Sequence, residues 1–220
     1  MIQLIDINKI FTSKSDRFYA LKNINLTIKK GEVVVIKGVS GSGKSTLLSI
    51  IASIMKPTSG ELNIDGENIV SLSDIHSSEY RRKRVGFITQ SFYLFDELSV
   101  EDNLLAPLII RDLTMQEIDE KRESALSLAN IVHKKKQKIS TLSGGEKQRT
   151  IIARAIVNNP DIIICDEPTA NLDKENSLIF IQTIKRLKSN DKTIIISTHD
   201  QLFEEQDFID RVYQIKDGEM

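Results

Sequence analysis

One nine-residue stretch limits this 220-residue chain more than any other. Gly38-Val39-Ser40-Gly41-Ser42-Gly43-Lys44-Ser45-Thr46 follows the apolar run Val33–Ile36 and opens a helix-patterned stretch at Ser45. The pattern is G-x-x-x-x-G-K-[ST] in the strand–loop–helix setting it requires. Its glycines let backbone N–H groups turn inward around an anion. The helix N-terminus adds its partial positive charge at the same point. Ser40, Gly41, Ser42, Gly43, Lys44, Ser45 and Thr46 are therefore candidate nucleotide-phosphate ligands. Lys44 would reach the β- and γ-phosphates, and the Ser45 hydroxyl would hold Mg²⁺.

The rest of the sequence supplies a sheet for that loop. Val33–Ile36, Val85–Thr89, Ile162–Cys165 and Thr193–Ser197 are short continuous apolar runs, which suit parallel strands covered on both faces. Ser45–Met55, Ser143–Val157 and Lys174–Lys188 carry helical patterning, the first closed by Pro57 and Gly60. Ile2–Asn8, Leu21–Ile28, Glu61–Ile64 and Val212–Ile215 alternate apolar and polar residues, which predicts a half-exposed antiparallel sheet. The stretch from about Phe92 to Ser140 is charge-rich and is expected to be mostly helical. The expected fold is α/β: a P-loop NTPase core with a parallel sheet, an antiparallel β subdomain and a helical insertion. The insertion is expected at approximately residues 92–150, within a single domain over 1–220.

A second site lies at Ile162-Ile163-Ile164-Cys165-Asp166-Glu167, an apolar strand ending in two acids. Carboxylates at the C-terminal ends of parallel strands sit where such sheets bind ligands. Asp166 would complete the Mg²⁺ shell through water, and Glu167 is the candidate general base for the water that attacks the γ-phosphate. Successive strand residues point to opposite faces, so both acids serve one ligand only if the strand has already turned. Pro168 is consistent with that exit. Cys165 reads as core filler.

Composition narrows the class. Lys plus Arg is 30 and Asp plus Glu is 31, for a net charge of −1, which argues against a nucleic-acid-coating protein. No apolar run approaches the roughly 20 residues of a spanning helix. Met1–Lys9 lacks the build of a signal peptide, and one cysteine excludes an intramolecular disulfide. A cytosolic chain is expected.

Thr141-Leu142-Ser143-Gly144-Gly145-Glu146-Lys147-Gln148-Arg149 distinguishes among P-loop nucleotidases. It resembles the signature of ABC-type ATPases. Gln90 is similar to that family's Q-loop glutamine, Ala170-Asn171-Leu172-Asp173 to its D-loop, and His199 to its switch histidine. The motifs stand in family order over Ile2–Glu219. Glu146 stands where many members have Gln, and Ala170-Asn171 where many have Ser-Ala.

The resemblance implies ATP and Mg²⁺ as cofactors and a second copy of the chain. Each signature helix, through Ser143, Gly144, Gly145 and Glu146, would face the ATP held by the other subunit, with Asp173 at the same contact. Gln90 would touch Mg²⁺ or the attacking water, and His199 the γ-phosphate. An aromatic would stack on adenine: Phe11 is favoured, with Tyr19 next and Phe18 also available.

The implied role is the ATP-hydrolysing subunit that drives a membrane permease from the cytoplasmic face of the inner membrane. No heptad run suggests a repair-type coiled coil. Ser91–Asn103 and Pro107-Leu108 are similar to the lipoprotein-release and macrolide-export branch, with Phe92, Tyr93 and Leu94 near the expected permease groove. The alternative is a cell-division-type regulator that transmits force without moving a solute. No regulatory domain is expected after Met220.

Overall fold

The computed structural model describes residues 1–13, 16–109, 113–203 and 206–220. In chain order the strands are Ile2–Thr12 (β1), Arg17–Ile28 (β2), Val33–Lys37 (β3), Ser59–Ile64 (β4), Glu67–Asn68 (β5), Val85–Ile88 (β6), Ile162–Asp166 (β7), Thr193–Thr198 (β8) and Arg211–Gln214 (β9). The α-helices are Lys44–Ile51 (α1), Asp74–Arg84 (α2), Val100–Asn103 (α3), Met115–Leu128 (α4), Gly144–Ile156 (α5) and Lys174–Lys188 (α6). A parallel sheet runs β6-β7-β8-β3-β9, and an antiparallel sheet runs β2-β1-β4-β5.

The continuous apolar runs follow from two cores that meet the parallel sheet on opposite faces. Val33, Val35, Ile163, Cys165, Ile194 and Ile196 join the cluster built with α5, α6 and the segment between β6 and α5. Their strand neighbours Val34, Ile36, Ile162, Ile164 and Ile195 join the other cluster, with α1 and the antiparallel sheet. Period-two geometry thus sends alternate residues into different cores, and each position has to be apolar.

Three expectations change. Val212–Ile215 does not belong to the antiparallel sheet: β9 pairs parallel with β3. It alternates because it is an edge strand, with Tyr213 packed on the inner cluster and Val212 half in solvent. Helix α1 stops at Ile51, short of Met55, because the Ser49 carbonyl takes the N–H groups of both Ile54 and Met55 and Ser53 turns left-handed. The stretch from 92 to 140 is less helical than expected. Among its described residues α-helix covers only α3 and α4, and Phe92–Phe95 is a loop with Phe92 and Leu94 packed on the core.

β1 and β2 run further than the alternation indicated. The ladder shifts register after Leu4, where Asp6 takes a positive φ of 48°. The Asn25 side chain bridges the irregularity, accepting from the Asp6 N–H and donating to its carboxylate. A bulge of this kind offsets the period-two pattern without ending the strand.

Candidate functional site

Parallel pairing sets the carboxyl ends of β3, β6, β7 and β8 side by side, with Lys37 opposite Thr198, Asp166 opposite Ser197 and Ile88 opposite Cys165. The loops that follow therefore converge. They wall a cleft of about 380 Å³ with Ser40, Gly41, Gly43, Lys44, Ser45, Thr46, Gln90, Glu167 and His199, and β1 and β2 add Phe11 and Phe18.

The cradle is locally determined. Gly43 precedes α1 with φ 107°, and a Cβ there would lie 2.5 Å from the Ala20 carbonyl oxygen, so both torsion and space require glycine. Behind it, Ser42 is buried with no partner for its hydroxyl among the described residues. Lys44 is only 6% exposed. Its Nζ donates to the carbonyls of Gly38 (2.7 Å) and Val39 (3.1 Å) and lies 3.2 Å from Glu167 Oε1.

The chain turns between the two acids. β7 ends at Asp166, and Glu167 takes a left-handed φ of 45°. Its N–H donates to the Ser197 carbonyl oxygen at 3.0 Å and to Ser197 Oγ at 3.2 Å. Ser197 Oγ in turn donates to Asp166 Oδ1 at 2.5 Å. One fully buried serine thus holds both acids, and sequence reasoning missed it because it looks like one more strand residue. Glu167 Oε2 meets Nδ1 of His199 at 2.9 Å, and the histidine side chain is 71% exposed. Glu167 therefore stands between an ammonium and an imidazole. Asp166 is set back and does not line the cleft.

The aromatic wall resolves in part. Phe11 and Phe18 are direct cross-strand partners and both face the cleft. Tyr19 pairs with Ile10 and lies outside it. The Lys9 ammonium sits 5.3 Å from the Phe11 ring centroid.

Ser143, Gly144, Gly145, Glu146 and Asp173 do not line this cleft. Ser143 caps α5 in a capping box: its hydroxyl accepts from the Glu146 N–H, and Glu146 accepts from the Ser143 N–H at 2.8 Å. That backbone donor is the first cause holding the Glu146 carboxyl below its usual value, opposed by burial and aided by Lys134 at 3.1 Å. Asp173 caps α6, and the Asn176 N–H that it accepts lowers its pKa. Asn176 also accepts from Arg149 at 3.1 Å and packs on Gly145. It joins α5 to the start of α6, a role that no motif announced. The basic run after Val132 is paired with acids: Lys135 with Glu123, Lys136 with Glu101 and Lys138 with Glu97.

The donor chemistry suits Mg²⁺: Ser45 and Gln90 bring a hydroxyl and an amide oxygen to the cleft wall, and Asp166 a carboxylate set back behind it, all hard oxygen donors. Among the described residues no cluster of His, Cys, Asp and Glu forms an all-protein metal cage. Mg²⁺ at nucleotide sites is commonly bound by one or two side chains plus substrate phosphates.

Residues 21–170 match the ABC transporter family. The chain belongs to that family. It is 40% identical over 225 residues to an uncharacterized ABC transporter ATP-binding protein, MJ0796, of Methanocaldococcus jannaschii, covering all of this chain and 95% of the relative. It is also 40% identical to the lipoprotein-releasing system ATP-binding protein LolD of Buchnera aphidicola, over 92% of this chain and 89% of LolD. Against the macrolide export ATP-binding/permease protein MacB of Vibrio parahaemolyticus, identity is 36% over all of this chain and 33% of the longer relative. A dimeric structure of the MJ0796 cassette in a post-hydrolysis state with ADP and Pi superposes with a TM-score of 0.91 at 38% identity, over all of this chain and 96% of that one.

The protein is thus an ATP-hydrolysing ABC cassette, the ATP-binding subunit of a transporter, in the branch that holds LolD and MacB. Among the described residues no helix is long and apolar enough to cross a membrane.

Proposed function

We propose that two copies of this cassette close head to tail around two ATP molecules and so drive a permease on the cytoplasmic face of the cell membrane. The permease is expected to be an exporter or lipoprotein-extrusion type. The observation that carries this reading is the division of the motifs. The cradle, Gln90, Glu167 and His199 share one cleft, while the signature turn Ser143–Gly145 and Asp173 lie outside it on the same chain. Ser143 and Gly144 are exposed at the N-terminus of α5, a natural anion site for a nucleotide bound to another copy.

Within each cleft, Lys44 and the α1 N-terminus would hold the β- and γ-phosphates, and Phe11 would stack on the base with Phe18 beside it. Ser45, Gln90 and Asp166, the last through water, would hold Mg²⁺, which neutralises charge building on the phosphates. Glu167 would accept the proton of the attacking water. His199, already bonded to that carboxylate, would orient it and bond the γ-phosphate. Water adds to the γ-phosphorus as the bond to the β-phosphate oxygen breaks, and when the resulting inorganic phosphate departs it takes with it the charge that binds the two copies, so the closed state opens.

Glu167→Gln tests this directly. ATP binding persists, turnover falls to background, and gel filtration with ATP shows a stable dimer. A variant that hydrolysed ATP at the parent rate would remove Glu167 from the base role. Isolating the membrane protein that co-purifies would separate a solute-moving permease from a cell-division partner.

A further inference from the structure

One arginine of α5 has no carboxylate partner among the described residues and no place in the mechanism above. Arg154 sits in the last turn of α5, half-buried, and burial alone pulls its pKa below the usual value. Its guanidinium spends both terminal nitrogens on main chain. Nη1 donates to the Tyr93 carbonyl at 2.7 Å and Nη2 to the Phe92 carbonyl at 3.1 Å. A planar fork that meets two successive carbonyls fixes direction as well as distance, which a lysine cannot do.

The segment it grips leads straight from Gln90 and carries an unusual torsion. Tyr93 has a left-handed φ of 45°, a costly conformation for a bulky residue that its surroundings have to impose. Phe92 and Leu94 are packed on the core on either side. Further on, Asn103 takes the Phe95 N–H at 2.8 Å and donates to its carbonyl at 3.1 Å. On the other side, Asn171 Nδ2 donates to the Gln90 carbonyl at 3.3 Å. The 90–95 backbone is therefore held at both ends by amides and in its middle by Arg154.

We propose that Arg154 is a positioning residue for Gln90: it fixes the path of the backbone leaving that glutamine. In doing so it ties the cleft wall to the same helix that presents Ser143–Gly145. α5 has 13 residues and is about 20 Å long, so a rigid rod joins the two features. A push on residues 92–93 would be felt at the signature turn, and closure there would be felt at Gln90. This rests on the reading of Gln90 as a ligand of Mg²⁺ or the attacking water.

A double-mutant cycle tests it on the purified 220-residue chain, with basal ATP turnover as the readout. Arg154→Met removes both bonds, and Arg154→Lys, which keeps the charge, replaces it if thermal melting shows that the methionine variant does not fold. The expected result is a kcat about tenfold lower with KM for ATP within about twofold, and a cost that shrinks below about twofold in a Gln90→Ala background. An equal factor in both backgrounds, or no loss at all in the parent background, overturns the inference while leaving Gln90 in its role. Unchanged turnover in Gln90→Ala alone overturns that role and this inference together.

Discussion

Gly144 and Gly145 are neighbours, yet only one is held to glycine by its surroundings. A Cβ on Gly145 would fall 2.0 Å from Asn176 Oδ1, whereas one on Gly144 would meet nothing nearer than the Asn171 carbonyl oxygen at 3.9 Å. Asn176 cannot step aside freely, because its amide donates to Asp173 and its oxygen accepts from Arg149. Gly145→Ala is therefore expected to lose about 1–3 kcal/mol of stability by overpacking, and Gly144→Ala much less. Urea unfolding of the two variants beside the parent measures the difference. The motif named both glycines but could not rank them, since the ranking depends on a residue 31 positions away in the sequence. Ser197 and Arg154 were hidden for the same reason. Their roles come from which backbone atoms the fold brings within reach, and no local pattern encodes that. Lys44 and Glu167 were legible from the residues themselves, because the loops at the carboxyl ends of parallel strands converge, whereas Gln90 and His199 were legible only through the family resemblance.

At the scale of elements, α5 depends on its first turn. The Ser143–Glu146 box satisfies N–H groups that the helix cannot pair itself. Removing such a cap by Ser143→Ala costs about 1 kcal/mol. Glu146 has its pKa depressed by folding, so its contribution is complete above the unfolded carboxylate value and is lost as pH falls through the lower folded one. Glu146→Gln is accordingly expected to flatten the acid side of the stability profile. Urea midpoints measured from about pH 7 down to about pH 3 would show the parent losing more than the variant. The sequence located α6 to the residue from the spacing of Leu178, Ile181, Ile184 and Leu187, and the structure adds the Asp173 cap that starts it. It missed α2, whose apolar content is low and whose Ser73 cap is its clearest signal. It misassigned β9 because an edge strand of a buried sheet shows the same alternation as a half-exposed antiparallel one.

For the whole molecule, the sheet divides the interior, and the cleft lies along its carboxyl border. Ile164 is fully buried in the core shared with the antiparallel sheet, and Ile164→Ala should cost about 2–5 kcal/mol. Thermal melting would register that loss, and ATP affinity at 25 °C should be unchanged, since Ile164 is not among the residues that line the cleft. A second expectation concerns the pair of copies. Ser143→Arg leaves ATP binding to the single chain intact, and it should abolish the ATP-dependent dimer that Glu167→Gln accumulates. Light scattering of the double variant is the check, and a dimer that survived would remove the signature turn from the contact.

Both borders of the parallel sheet are strands of four residues, β6 and β9. Unpaired strand edges are templates on which another chain can add a strand, and long flat ones seed aggregates. α5 packs against β6, where Gly86 allows the Ala155 carbonyl to come close, and β9 carries Arg211 and leads into a tight Lys216–Glu219 turn. Neither border offers a run long enough to recruit a neighbour through its backbone. The parallel sheet therefore has no border along which it would grow from molecule to molecule by adding strands.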